Sequence, residues 1–300
     1  MIKTYNITKH FGDFTALNNV SCSIDRGSIY GMVGSNGAGK STFLRLLSGV
    51  YRADNGKIFI DDEPVYENPD VKNRICYVPD ELFFLQGSNM NRMAKFYSSV
   101  YSRFDYERFN DLTKKFGLDP SKNLNTFSKG MKRQAAIILA LSCKPDYMFF
   151  DETFDGLDPV IRNLVKSLIC SDVIDYNLTA IITSHSLREL EDICDQLALL
   201  HKGGLVLEND INNLKTKQFK VQIAFNHDYD TDIFNSLGLN IHNMKKSGSV
   251  TNMIIKGNHD ETIAKLNSLK PVLIEALPLT LEEVFTYEME ALGYSFEDFE

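Results

Sequence analysis

The stretch GSNGAGKST, Gly34 to Thr42, constrains this chain more than any other. It fits G-x-x-x-x-G-K-[ST] without a mismatch, after a predicted strand at Ser28–Val33 and opening a predicted helix at Thr42–Gly49. Ser35, Asn36, Gly37, Ala38 and Gly39 form a loop whose glycines let successive backbone N–H groups converge on phosphate oxygens. The helix dipole adds positive potential at the same spot. Lys40 is expected to reach β- and γ-phosphates, and the Ser41 hydroxyl to ligate Mg²⁺. A chain that holds a triphosphate in this way needs a parallel sheet whose strands end at one edge.

The pattern around the loop agrees. Tyr147–Phe150 and Thr179–Thr183 are apolar throughout and alternate with helices predicted at Pro159–Leu168 and Leu187–Asp195. Such strands indicate a parallel sheet covered on both faces. Further strands are predicted at Ile2–Ile7, Val20–Ile24, Lys57–Ile60 and Ile75–Val78. Helical spacing takes over between Asn89 and Leu118 and returns in Ala135–Cys143. From about Lys215 the order becomes β-α-β-β-α-β: Phe219–Phe225, Thr231–Leu237, Ile241–Lys245, Val250–Lys256, Glu261–Leu269 and Pro271–Ala276. That is the split βαβ, or ferredoxin-like, arrangement, followed by a helix predicted at Leu281–Leu292.

Other residues extend the site. In YMFFDE, a buried strand projects Asp151 at its carboxyl end, a position suited to holding Mg²⁺ through water. Glu152 is then placed to polarise an attacking water as general base. His185 follows another apolar strand, where a γ-phosphate can be contacted. Phe11 has two readings, a stacking partner for adenine or an ordinary core aromatic. A second anion site is suggested by NTFSKGMKRQ, where Ser128, Lys129 and Gly130 open an apolar helix with Ser128 as N-cap.

Together these pieces resemble the nucleotide-binding subunit of ABC transporters over about residues 1–215, with FSKGMKRQ in the place of the family's L-S-G-G-Q signature. The resemblance implies an α/β fold: a P-loop ATPase domain at 1–214 with an antiparallel β subdomain, a parallel-sheet core and a helical subdomain at about 86–145. Beyond the stretch that the resemblance covers, the β-α-β-β-α-β order gives a small α+β, ferredoxin-like domain at 215–300, read either as a regulatory or dimerising module or as a passive packing domain. It implies two chains packed head to tail, each ATP lying between one P-loop and the other chain's signature, which explains why one polypeptide carries two anion sites. Residue by residue, Phe11 matches the adenine-stacking aromatic and Gly34–Thr42 the P-loop. Ser128 and Gly130 match the contacts to the opposite γ-phosphate, with Lys129 between them. Asp151 and Glu152 match the Walker B aspartate and catalytic glutamate, Asp158 closes the D-loop, and His185 is the switch histidine.

Three departures stand out. Asp80 occupies the place of a glutamine that contacts Mg²⁺, Lys129 and Met131 replace a glycine and a glutamine, and DGLD replaces S-A-L-D. Lys129 either adds charge at the opposite phosphate or is solvated. The ending PLTLEEVFTYEMEALG resembles exporters of the ABC-2 type, a group that includes pumps for amphipathic or antimicrobial peptides.

A net charge of −8 over 300 residues argues against a dedicated nucleic-acid binder. The N-terminus lacks an apolar signal region, and no stretch approaches the roughly 20 apolar residues of a spanning helix, so a soluble subunit is expected. Five scattered cysteines fit buried thiols in a reducing cytosol. The implied partners are a second ATPase subunit, identical or paralogous, and a separate transmembrane permease that tethers the chain to the inner face of the cell membrane. Phe83 and Phe84 are read either as docking aromatics for it or as subdomain core. The rival readings are a soluble ATPase working on ribosomes or DNA and a non-hydrolysing nucleotide sensor.

Overall fold

Strands with no exposed residue run through the middle of the first half of the chain: β3 (Ile29–Val33), β7 (Tyr147–Asp151) and β8 (Thr179–Ser184). The computed structural model describes residues 1–210, 218–280, 282–284 and 286. The chain divides into two units, Met1–Glu208 and Asn209–Glu300.

In the first unit, a six-stranded sheet has the order β10-β9-β3-β8-β7-β6, with β6 at Ile75–Val78, β9 at Gln196–His201 and β10 at Gly204–Asp210. The pairs β3–β8, β3–β9, β6–β7 and β7–β8 are parallel. Parallel neighbours require crossovers, and helices supply several of them. One is α1 (Lys40–Leu47), whose Phe43, Leu44 and Leu47 are buried in one core cluster with Met32, Tyr147 and Phe149. Another is α6 (Pro159–Tyr176), started by Asp158 as N-cap and Pro159 at the first turn. A four-stranded antiparallel sheet, β2-β1-β4-β5, is formed by β1 (Ile2–Phe11), β2 (Phe14–Ile24), β4 (Asn55–Ile60) and the exposed β5 (Glu63–Pro64), and Ile2, Ile7, Leu17, Val20, Ile24 and Ile60 of it join the same core.

After the short helix α2 (Pro69–Lys72), which precedes β6, the helical insertion lies between β6 and β7: α3 (Met90–Val100), α4 (Tyr106–Lys115), a 3₁₀ turn at Leu124–Thr126 and α5 (Lys129–Ser142). Asn89, Asp105 and Ser128 cap the three helices through side-chain oxygens. Helix α5 is buried on every face over its second half, since its residues from Ala135 to Ser142 are all buried.

The second unit has a sheet of order β12-β13-β11-β14, all pairs antiparallel, with β11 at Gln218–Ala224, β12 at Ile241–Ser247, β13 at Val250–Lys256 and β14 at Leu273–Pro278. This is the ferredoxin-like order. Its core joins Val221, Ile223, Met253 and Ile255 to Phe234 and to Leu266 of α8 (His259–Asn267). Of the predicted helix Leu281–Leu292, only Glu282–Val284 and Thr286 are described, all helical, and the rest lies outside the described residues.

Several elements differ from expectation: α6 runs on to Tyr176 rather than Leu168, β1 to Phe11 rather than Ile7, and β2 starts at Phe14 rather than Val20. Helix α1 begins at Lys40 rather than Thr42, because Gly39 caps it in the left-handed region. The segment Thr231–Leu237 is 3₁₀, not α. The helix predicted over Leu187–Asp195 stops after one turn, α7 (Leu187–Leu190), because the Asp195 carboxylate accepts the Ile29 N–H at 2.8 Å and leads the chain into β9. The strands β9 and β10 had no counterpart in the sequence reading.

Candidate nucleotide site

Strand register gathers the predicted residues. Val33 pairs with Ser184 and Asp151 with Thr183, so β3, β8 and β7 end at one level. The loop of Gly34, the Asp151–Glu152 pair and His185 therefore share the carboxyl edge of the sheet, although they are far apart in the chain.

The loop is shaped by close approach. A Cβ on Gly34 would stand 2.4 Å from the Leu200 carbonyl oxygen, and one on Gly39 would stand 2.6 Å from that of Ala16. Gly39 also has φ 109°, a conformation that L side chains rarely adopt. Gly39→Ala is therefore expected to cost about 2 kcal/mol or more. A lowered unfolding midpoint together with lost nucleotide binding is the expected result.

Lys40 is buried and fully engaged. Its Nζ donates to the Gly34 carbonyl at 2.6 Å and the Ser35 carbonyl at 3.0 Å, and lies 3.1 Å from Glu152 Oε1. A buried ammonium without such partners is costly. Glu152 has φ 46°, a sparsely populated conformation for a non-glycine residue. The turn is held because its N–H donates to Thr183 Oγ1 at 3.1 Å. His185 Nδ1 lies 3.5 Å from Glu152 Oε2, and the imidazole is half exposed. After His185, the turn is tied down by Ser184 Oγ donating to Glu189 at 2.7 Å and by the Arg162–Glu189 ion pair at 3.2 Å.

Asp151 has no solvent exposure, and its carboxylate accepts three hydroxyl donors. Ser41 and Thr183 each donate to Oδ1 at 3.0 Å, and Tyr77 donates to Oδ2 at 2.8 Å. Burial, followed by the Asp151 charge, pushes the Tyr77 phenol well above the ordinary tyrosine range, so it remains a donor. The hard oxygens of Ser41 and Asp151, side by side, suit Mg²⁺, which keeps several waters and takes one or two protein oxygens beside phosphates. Phe11, at the end of β1, is 44% exposed, meets Tyr51 edge-on at 5.4 Å and has the Lys9 ammonium 5.5 Å from its ring centroid.

The remaining predicted residues sit elsewhere. Ser128 Oγ accepts the Met131 N–H at 3.2 Å as N-cap of α5, with Lys129 exposed beside it and Gly130 half-buried. Among the described residues, Ser128 and Lys129 make no hydrogen bond or ion pair with residues 34–42. The Asp158 carboxylate accepts N–H groups of Val160 and Ile161 at 3.1 and 3.0 Å. Asp80 is bound by Arg133, not by the Ser41–Asp151 pair. Sequence reasoning passed over Tyr77, Thr183 and Arg133. The first two precede flagged motifs directly in ICYVPD and AIITSH, and Arg133 closes the MKR of the signature.

This arrangement is that of a P-loop nucleotide site on a doubly covered parallel sheet. Residues 17–155 match the ABC transporter family profile. The chain is 30% identical over 285 residues to the ABC transporter ATP-binding protein YtrB of Bacillus subtilis (strain 168), covering 95% of this chain and 97% of that protein. It is 29% identical over 223 residues to the bacitracin transport ATP-binding protein BcrA of Bacillus licheniformis, 73% of each. Among solved structures, an ATP-binding subunit of an ABC transporter superposes with TM-score 0.67 at 23% identity, covering 71% of this chain and 91% of that one. A dimeric post-hydrolysis state of the cassette MJ0796 with ADP and Pi gives TM-score 0.64 at 20% identity, covering 70% and 99%. The chain belongs to the ABC transporter family as an ATP-binding subunit, and it is an ATPase. Among the described residues no helix is long and apolar enough to cross a membrane.

Proposed function

We propose that this chain works as a two-chain ATPase that drives a separate transmembrane exporter subunit. Each ATP is held by residues 35–42 of one chain, with adenine on Phe11, and is closed over by Ser128, Lys129 and Gly130 of the other. The observation that carries this reading is the split of the anion sites. Lys40, Ser41, Asp151, Glu152 and His185 are assembled within one chain, whereas the capped start of α5 presents Ser128 and Lys129 to solvent with no tie to the P-loop. A helix N-terminus with exposed donors supports an anion supplied from outside.

In this mechanism Lys40 exchanges Glu152 for the β- and γ-phosphates. Glu152, released, takes a proton from the attacking water, and His185 donates to the γ-phosphate. Mg²⁺, when bound to Ser41 and Asp151, offsets charge on the phosphate oxygens. Asp80 is the third ligand suggested by the resemblance, but its carboxylate is committed to Arg133, so the magnesium proposal rests on the first two. Binding two ATP favours the closed pair because contacts to γ-phosphate exist only there, and loss of Pi reopens it. Asp158 is assigned to the face that the two chains would share, on the strength of the DGLD match alone.

The permease contact is assigned to the segment after Asp80, where Phe83 is 81% exposed and Phe84 partly so. The names of BcrA and of the linearmycin resistance protein LnrL of Bacillus subtilis (strain 168), 30% identical over 212 residues, support antimicrobial or amphipathic compounds as cargo. The chain would then lie at the cytoplasmic face of the cell membrane. The unit from Asn209 onward is assigned a dimer-stabilising or regulatory role. Co-expression with a multi-spanning permease tests this reading. Recovery of the chain from membranes only with that permease is expected, while co-sedimentation with ribosomes in its absence would sink the transport reading.

A further inference from the structure

Among the described residues, Arg133 heads the fully buried side chains by size, being 1% exposed. It lies on α5, one turn beyond the Ser128 cap. Its guanidinium reaches two other segments. Nη2 donates to the Asp80 carbonyl oxygen at 3.1 Å and to the Asp80 carboxylate, and Nη1 donates to the Asp155 carbonyl oxygen. Asp80 follows β6, and Asp155 follows β7 within the DGLD turn that ends in Asp158. A second contact runs beside this one: a Cβ on Gly130 would stand 3.3 Å from the Gly156 carbonyl oxygen. The start of α5 and the DGLD turn are thus packed backbone to backbone at one point and bridged by a buried cation at another.

We infer that Arg133 is a positioning residue: it ties the helix carrying Ser128 and Gly130 to the Asp80 and Asp155 segments, and it neutralises an acid that would otherwise face a triphosphate. The inference rests on the two-chain reading proposed above. A guanidinium can serve three acceptors in fixed directions, which no other side chain does. Two of those acceptors are main-chain oxygens, so the tie fixes backbone rather than merely pairing side chains. The third gives the charge balance. The Asp80 side chain is 51% exposed while that of Arg133 is 2% exposed, so the acid forms the solvent end of the pair. Without Arg133, a free carboxylate would stand on the segment next to the Asp151 strand, where β6 and β7 end together. Like charges at that edge oppose binding of an anion, and closure of a second chain over it.

The test uses the full chain carrying Glu152→Gln, with Arg133→Gln, Arg133→Lys, and Arg133→Gln combined with Asp80→Asn added to it. Calorimetry on dilute chain reads ATP affinity, sedimentation reads ATP-driven pairing, and hydrogen exchange reads the amides of residues 128–131 and 155–158. Arg133→Gln is expected to weaken ATP affinity severalfold and, at saturating ATP, to weaken pairing about tenfold or more, with faster exchange at both segments. Adding Asp80→Asn should restore much of the pairing, a rescue that general loss of packing would not give. Arg133→Lys keeps the charge without the fork and should fall between parent and Arg133→Gln, and it carries the test if the glutamine variant does not fold. Pairing as strong in Arg133→Gln or Arg133→Lys as in the parent, or no rescue by Asp80→Asn, overturns the inference. A parent chain that binds ATP yet stays single overturns the two-chain reading itself, and is recognised before any Arg133 variant is compared.

Discussion

Replacing Glu152 with glutamine is expected to stop turnover and to leave the chain paired around ATP. Two effects act together. The proposed general base is lost, which should lower the hydrolysis rate by about 10²–10⁴-fold. The 3.1 Å ion pair with Lys40 is lost as well, so the ammonium is free to meet phosphate without first giving up a carboxylate. Nucleotide affinity therefore holds or rises while the step that reopens the pair is blocked. Gel filtration with ATP and Mg²⁺ should show a species of twice the chain mass, which disappears when ATP is replaced by ADP. A Glu152→Gln chain that elutes as a monomer under saturating ATP would refute the composite site.

Lys40→Ala should remove most of the affinity for the triphosphate. In the free chain Lys40 already has three partners, the carbonyls of Gly34 and Ser35 and the Glu152 carboxylate. Binding exchanges these for phosphate oxygens, so the net contribution is a difference between two good environments. Truncating one member of a buried charge pair costs about 2–5 kcal/mol. The lower end applies here, a weakening of about thirtyfold or more. Calorimetry on the folded variant checks it. Part of the change reports on Glu152, which is left near an empty position and stripped of its cation. Unfolding measurements in the absence of nucleotide separate that loss of stability from the loss of binding. An affinity equal to that of the parent would remove Lys40 from the site.

The two variants pull on the same contact from opposite ends and have opposite consequences. Losing the acid frees the cation for the ligand, whereas losing the cation leaves the acid unmatched. That asymmetry follows from the geometry of one ion pair in the nucleotide-free chain, and no motif expresses it.

Much of the site was legible in the chain because its parts are local. GSNGAGKST needs glycines where backbone must approach backbone, and Gly34 and Gly39 do so at Leu200 and Ala16. YMFFDE and AIITSH read as buried strands because all their residues up to the acid or the histidine are apolar or small, and each is buried as expected. Ser128 and Asp158 announce helix starts, and both cap one. The order β-α-β-β-α-β after Lys215 was likewise readable from alternation, apart from a 3₁₀ turn where an α-helix was expected. Propensity and hydrogen-bond chemistry within a few residues suffice for such features.

Other features depend on partners distant in sequence. LALLH at Leu197–His201 reads equally as strand or helix, and only pairing with β3 makes it β9. Tyr77 and Thr183 are ordinary strand residues until the register brings both hydroxyls to the Asp151 carboxylate. Asp80 looked like a metal ligand by its place in a motif, and Arg133 looked like one more charge on a helix. Their pairing across the insertion is visible only once α5 is folded back against the ends of β6 and β7. The sequence by itself determined the loop, the strands that flank it and the caps, because each is decided by steric and hydrogen-bond demands inside a short window. Tertiary structure alone decided which acid meets which cation, because an ion pair depends on distance in space, and the chain sets that distance only through the whole sheet.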